Sequence, residues 1–564
     1  MKKKVSLLLV LCILAAFASG CGISTSADVD TFSASADSVE SVAVPPPDET
    51  ISVSDEISSV EEPAPEYVYA TYPLTDEPVT FSIWIAYNSP AVPDFNEQQA
   101  VLTTREITGV TIDYKQFAPT VASEQFNLMV ASGDYTDLIH GAVTQYNGGG
   151  TKAVEDDVLI DLLEIAQTYA PNFMEILRSN DSVYRDCIND DGYLLTFPVI
   201  YSQPFVGAGY AIREDWLKDL NLAIPETYDE WTDVLSAFKD AYGCSNPLMM
   251  TDALMGGSGQ PTGGYDVVGY TLSSTLGSDM FQVDGTVHSS FLEDGYKAYI
   301  EQLHRWYEDG LISRNFTENS SDPMSGNVEG LITGGNVGIW FAAQTDFERY
   351  PMAATNQNFT MTAIPDPVMT KGQTNHFGGT RELVYQSKGY SVTTACSDPV
   401  LAVQWMDFYY SEEGARLANY GTEGISITMV DGEPQWTELL SESSNPGSVL
   451  ATQTMGQNAG TLKKPTSQLG LYFDSQLHAE EVWTASGDGA YYIPSSVQLT
   501  AEEGDEFTQK ASDYETHASQ AILQFVIGDR SLDDWDVFID EMKDMGIEDT
   551  VELYQAAVDR YYAR

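Results

Sequence analysis

The chain of 564 residues is poor in positive charge: 26 Lys and Arg stand against 84 Asp and Glu, a formal net charge of −58. No Lys or Arg occurs between Lys4 and Arg105. A chain this acidic lacks the basic patches that nucleic acid or an anionic surface requires, so neither is an expected partner. Cysteine is sparse as well, with five in the chain. Cys187, Cys244 and Cys396 are widely spaced, which excludes a disulfide framework and a CxxC metal site and fits buried apolar positions. The only long apolar run is Val5 to Phe17, too short for a permanent membrane helix. The chain also lacks GxSxG, HExxH and a P-loop; Gly148-Gly149-Gly150 has no Lys-Ser/Thr after it and reads as a turn. The six histidines are scattered, and Asp186 to Gly192 (DCINDDG) lacks the first carboxylate of a calcium loop. No cofactor or metal site is therefore expected.

What is present begins at the N-terminus. Lys2, Lys3 and Lys4 precede the apolar run, and Ala18-Ser19-Gly20-Cys21 ends it with small residues before a cysteine. This resembles the bacterial lipobox and implies a signal peptide over 1–20 with Cys21 lipidated, a stable anchor where at least two acyl chains are carried. Residues 22–66 are mostly Ser, Asp, Glu, Ala, Val and Pro with one aromatic, Phe32. Such a segment buries too little apolar surface to fold, so 21–66 reads as an extended acidic tether.

From residue 67 the patterning is that of a globular α/β protein, long enough for two lobes. Val79–Ala86, Val110–Tyr114 and Asp137–Gly141 read as strands, separated by helical stretches at 95–108 and 122–131. That order implies a parallel sheet with right-handed crossovers. Tyr193–Ile200 reads as a connecting strand. A second series follows, with strands at 209–213, 336–342 and 359–364. Thr227-Tyr228-Asp229-Glu230 opens a helix as a capping box, and Trp231, Leu235 and Phe238 give it one core face. Trp216, Trp306, Trp405 and Trp535 fall in similar stripes and read as core. The end of the chain reads as helical from the capping box at Thr500-Ala501-Glu502-Glu503.

Four segments resemble family 1 extracellular solute-binding proteins, in that family's order: SGDYTDLIHG (132–141), AIREDWLKDLNLAIPETYDEWTDVLSAFKDA (211–241), WMDFYYSEEGARLANYGTEGI (405–425) and FVIGDRSLDDWDVFIDEMKDMGIEDTVELYQAAVDRYY (525–562). The last is similar to the lipoprotein subgroup of Gram-positive bacteria. Position 136 is Thr where the family commonly has Pro. The resemblance implies a two-lobed periplasmic-binding-protein-like α/β fold with discontinuous lobes and a hinge. On that reading lobe 1 covers 67–198 and 380–425, and lobe 2 covers 199–379 and 426–564. It also implies a ligand receptor, not an enzyme, that feeds the permease subunits of an ABC importer, often with oligosaccharides, from the outer face of the membrane. A secreted carbohydrate-active enzyme and a surface sensing or adhesion module on the same fold are the alternatives.

Sugars need aromatic platforms and neutral or acidic hydrogen-bond partners. In doubly wound sheets these gather at strand carboxyl ends. The expected ligand residues are Trp84, Tyr87 and Asn88 at the first strand; Thr144, Gln145 and Tyr146 after the third; and Tyr201 and Gln203 at the first crossover. Trp340, Gln344 and, at a second crossover, Phe377 beside His376 complete the set.

Overall fold

The computed structural model describes residues 67–564 apart from 205, 252–261, 269–276, 320–325, 379–382, 444, 457, 465–470 and 472. Cys21 and the acidic tether lie outside the described residues. Two sheets organise the chain. The first begins with Val79–Ala86 (β1), Val110–Phe117 (β2), Leu138–His140 (β3) and Phe197–Tyr201 (β4). The second takes Ala208–Arg213 (β5), Asn246–Leu248 (β6), Val337–Ala343 (β7) and Met361–Ala363 (β8). The chain then returns to the first sheet with Val384–Val392 (β9) and Thr461–Lys463 (β10).

The first sheet has the order β10-β4-β9-β3-β1-β2. β1 runs parallel to β2 and β3, β10 runs parallel to β4, and β9 is antiparallel to both its neighbours. β1 is apolar on both faces, burying Phe81, Ile83, Trp84 and Ile85, as a central parallel strand must when helices cover it on each side. Gly109 ends the Gln99–Thr108 helix at φ 74°, and a Cβ there would lie 2.8 Å from the Thr75 carbonyl. That left-handed residue turns the helix directly into β2.

The second sheet has the order β8-β5-β7-β6, with β5 antiparallel to β7 and β8 and β6 parallel to β7. Its core is aromatic: Trp231 of the Tyr228–Tyr242 helix stacks on Trp306 of the Asp294–Glu308 helix at 6.4 Å. The Ala501–Ile527 helix packs against the same core through Phe507, Tyr514 and Phe525. Both halves of its capping box are present, between Thr500 and Glu503.

Residues 202–207 make the first crossing. β6, β7 and β8 run opposite to β5, so their carboxyl ends lie where β5 begins, next to the carboxyl end of β4. Residues between β8 and β9 make the return. The expected second return at 426 is corrected by the strand pairing. Residues 427–463 stay with the first sheet, because β10 pairs with β4 through Thr461↔Val199 and Lys463↔Tyr201. Met455 and Ala459 also belong to the first core. The chain reaches the second sheet only with the Asp474–Ala485 helix, where Trp483 donates Nε1–H to the Tyr210 carbonyl at 2.9 Å. Trp483 fits because position 209 is glycine: a Cβ there would lie 2.4 Å from its Cδ1.

The final helix, Ile547–Ala563, packs on the second core and reaches the first body. Arg560 and Arg564 both hold Asp190, at 3.0 and 2.7 Å. Asp190 follows Cys187 and Ile188, which are buried in the first core.

Candidate functional site

The carboxyl ends of β1, β3, β4 and β10 from one sheet, and of β6, β7 and β8 from the other, converge where the chain crosses. This geometry places some of the expected ligand residues at the rim and withdraws others from it.

On the first side, Tyr87 follows β1 with its ring half-buried edge-on to Phe95 at 5.1 Å, and Asn88 beyond it is exposed. Thr144 is exposed after β3. Gln145 is fixed inward, donating through Nε2 to the His140 and Gly141 carbonyls at 3.2 and 3.4 Å. Tyr146 donates its hydroxyl to Asp156 at 2.9 Å, which fixes the ring on its loop. Tyr201 ends β4 buried, with its ring 5.2 Å from that of Tyr385 on β9, and Gln203 is exposed beyond it.

Four more of the expected residues are buried. Trp84 is 2% exposed and lies between Phe117 and Phe126 at 5.7 and 5.5 Å. Trp340 is 1% exposed against Tyr350 and Phe359. Both sit inside strands whose two faces are covered by helices, so each ring packs within its own body. Gln344 is buried and structural: its Nε2 donates to the Gln476 carbonyl at 3.2 Å, and Gln476 Nε2 returns a bond to the Gln344 carbonyl at 3.3 Å. Phe377 is also buried, packed edge-on against Phe281, Tyr491 and Tyr492 at 5.4, 5.7 and 5.5 Å.

The exposed partners of that cluster were missed. Tyr492 is 36% exposed and donates its hydroxyl to the Phe377 carbonyl at 2.6 Å. His376 stacks on Tyr491 at 4.2 Å and meets Asp488 at 3.1 Å. The only sequence signal was a Tyr-Tyr pair after Gly489 in a loop. Asp366, at the end of β8, was missed too. Ser486 Oγ and Asn375 Nδ2 donate to its carboxylate, each at 3.3 Å, yet burial pushes its pKa up to about 7. Burial likewise raises Glu480, which accepts from Gln344 Nε2 at 3.4 Å.

The arrangement offers aromatic faces, amides, and carboxyl groups whose burial favours the protonated form. This is hydrogen-bonding and stacking chemistry. No group of three or more His, Cys, Asp or Glu able to hold a metal occurs among the described residues. Cys187, Cys244 and Cys396 are free and buried.

Two sheets joined by crossing segments, with an antiparallel strand in each, define a periplasmic-binding-protein-like fold. Within that class, the chain belongs to the bacterial extracellular solute-binding protein family, whose model matches residues 91–438. It is 22% identical over 528 residues to the fructooligosaccharide ABC transporter substrate-binding protein FusA of Streptococcus pneumoniae serotype 4, covering 87% of this chain and 92% of that one. It is 22% identical over 509 residues to lipoprotein LipO of Bacillus subtilis, covering 84% and 89%. A solved HMO-binding, ABC-transporter-associated solute-binding protein from Bifidobacterium longum infantis shares the fold, with TM-score 0.67 and 17% identity over 86% of this chain and 99% of that one.

Proposed function

We propose that this chain is a lipid-anchored receptor that captures an oligosaccharide outside the cell and delivers it to the permease subunits of an ABC importer, without turning it over. The observation that carries the reading is the convergence of strand carboxyl ends from two sheets on one crossing. A ligand touching both rims binds the closed form better and so draws the lobes together. Tyr87 and Tyr492 supply faces for the C–H surfaces of sugar rings, while Asn88, Thr144 and Gln203 supply hydroxyl partners. The sugar-binding relative and the named lipoprotein support ligand class and anchoring. On this reading 67–201 and 384–463 form one lobe, and 208–377 and 474–564 the other.

Uptake tests the whole assignment. Host cells deleted for this chain should lose import of a labelled oligosaccharide. The full-length chain should restore it, and Cys21→Ala, released from the membrane, should restore little. Unchanged uptake in the deletion strain across a broad saccharide panel would defeat the proposal.

A further inference from the structure

Lys463 stands apart from the other enclosed cations. It is 5% exposed at the carboxyl end of β10, and it has no hydrogen-bond or ion-pair partner for its ammonium among the described residues. Taking an ammonium out of water costs several kcal/mol unless a counter-charge repays it. Counter-charges abound in a chain with 84 carboxylates. The other deeply buried cations have them: Arg213 is held by Asp215 at 2.8 and 2.6 Å, and Arg564 by Asp190 at 2.7 Å. Desolvation lowers Lys463 to about 8, so it stays largely charged at neutral pH.

Its place is fixed on both sides. The Lys463 carbonyl accepts from the Ser202 amide at 2.9 Å. Asn419 donates through Nδ2 to the Leu462 carbonyl at 2.9 Å and accepts from the Lys464 amide at 3.2 Å. Parallel register sets Lys463 beside Tyr201, and the Tyr201 ring meets Tyr385 at 5.2 Å. A backbone held on both sides therefore places one unpaired cation on the strand beside Tyr201, at the strand end where the chain first crosses.

We propose that Lys463, in register beside Tyr201 at the end of β10, is a subsite for the carboxylate of an acidic sugar unit, so that the oligosaccharide taken by this receptor carries uronate. The proposal rests on the saccharide-receptor reading above. The missing counter-charge is then the ligand's own, and it arrives only with the correct cargo. In so acidic a protein the subsite also offsets the repulsion that a polyanionic glycan meets.

Calorimetry on the mature chain with trigalacturonate and with a neutral fructo-oligosaccharide tests this. Wild type should bind trigalacturonate. Lys463→Met should weaken that binding about tenfold or more, keep any affinity for the neutral sugar, and melt no lower than wild type, because it removes a desolvated charge. Lys463→Met binding trigalacturonate as tightly as wild type would overturn the subsite. So would a wild type that binds the neutral sugar alone, with the receptor reading left standing. Binding of neither, with no response to other saccharides, would overturn both.

Discussion

Tyr561, in the last helix, donates its hydroxyl to Asp186 at 2.9 Å, joining the body built on the second sheet to the Asp181–Cys187 helix of the first. Ser496 Oγ donates to the same carboxylate oxygen at 2.5 Å, and Arg564 reaches the Arg185 carbonyl at 2.6 Å. The chain's end thus clasps the two bodies together. Tyr561→Phe should lower the free energy of unfolding by about 1–2 kcal/mol. In a double-mutant cycle with Asp186→Asn the two changes should couple by about 1 kcal/mol. Strict additivity in urea titrations would show that the contact carries no energy.

Acidification should stabilise the protein between about pH 7 and pH 5. Burial raises Asp279 and Asp407 to about 6, and Asp366 and Glu515 to about 7. The folded form therefore holds protons where the unfolded chain, with carboxyls near 4, has released them, and stability is gained as pH falls through the raised values. His140 opposes the trend: burial lowers it to about 3, so it stays neutral while the unfolded imidazole charges below about 6.5. Four carboxyls outweigh one imidazole. Melting should occur several degrees higher at about pH 5.5 than at about pH 7.5, as calorimetric scans will report; a lower melting point in acid would reverse the assignment.

Asp407 caps a neighbouring helix. Its Oδ1 accepts from the Phe173 amide at 2.8 Å and its Oδ2 from Asn172 Nδ2 at 2.6 Å, at the start of the Pro171–Ser179 helix. Asp407→Ala strands buried donors and should cost about 2–3 kcal/mol. Denaturant midpoints will show this, and a cost below about 0.5 kcal/mol would rule the cap out as a stabilising contact.

Gly209→Ala should displace Trp483 and cost about 1–3 kcal/mol through overpacking. A changed tryptophan emission would accompany the lower melting temperature. Normal emission and stability would mean that the Asp474–Ala485 helix docks with room to spare.

The rim and the core should separate cleanly. Tyr87→Leu should weaken oligosaccharide binding about tenfold with little change in melting. Trp84→Phe should do the opposite, since its ring is enclosed by Phe117 and Phe126. Titrations paired with melts distinguish the two, and equal losses of affinity would contradict this division.

The contrast between Trp84 and Tyr87 also shows what the sequence could convey. Period-two and period-3.6 patterns located β1, β2 and the Trp231 helix, because local burial writes them into neighbouring residues. A tryptophan in a doubly covered strand looks the same from sequence whether its ring meets helices or a ligand. β10 escaped notice for another reason. It is three residues long and pairs with β4 from far earlier in the chain, so nothing local marks it, and the sequence pattern alone places the second return at 426, ahead of it. Lys463 went with it, since a lysine in sequence signals exposure and only the sheet register reveals its burial.

The most direct measurement is calorimetric titration of the mature protein with a panel of neutral and acidic oligosaccharides, followed by chromatography of the recovered sugar. Saturable one-to-one binding with the sugar returned intact is the expected result. Absence of binding to every saccharide, or recovery of cleaved products, would contradict a saccharide receptor.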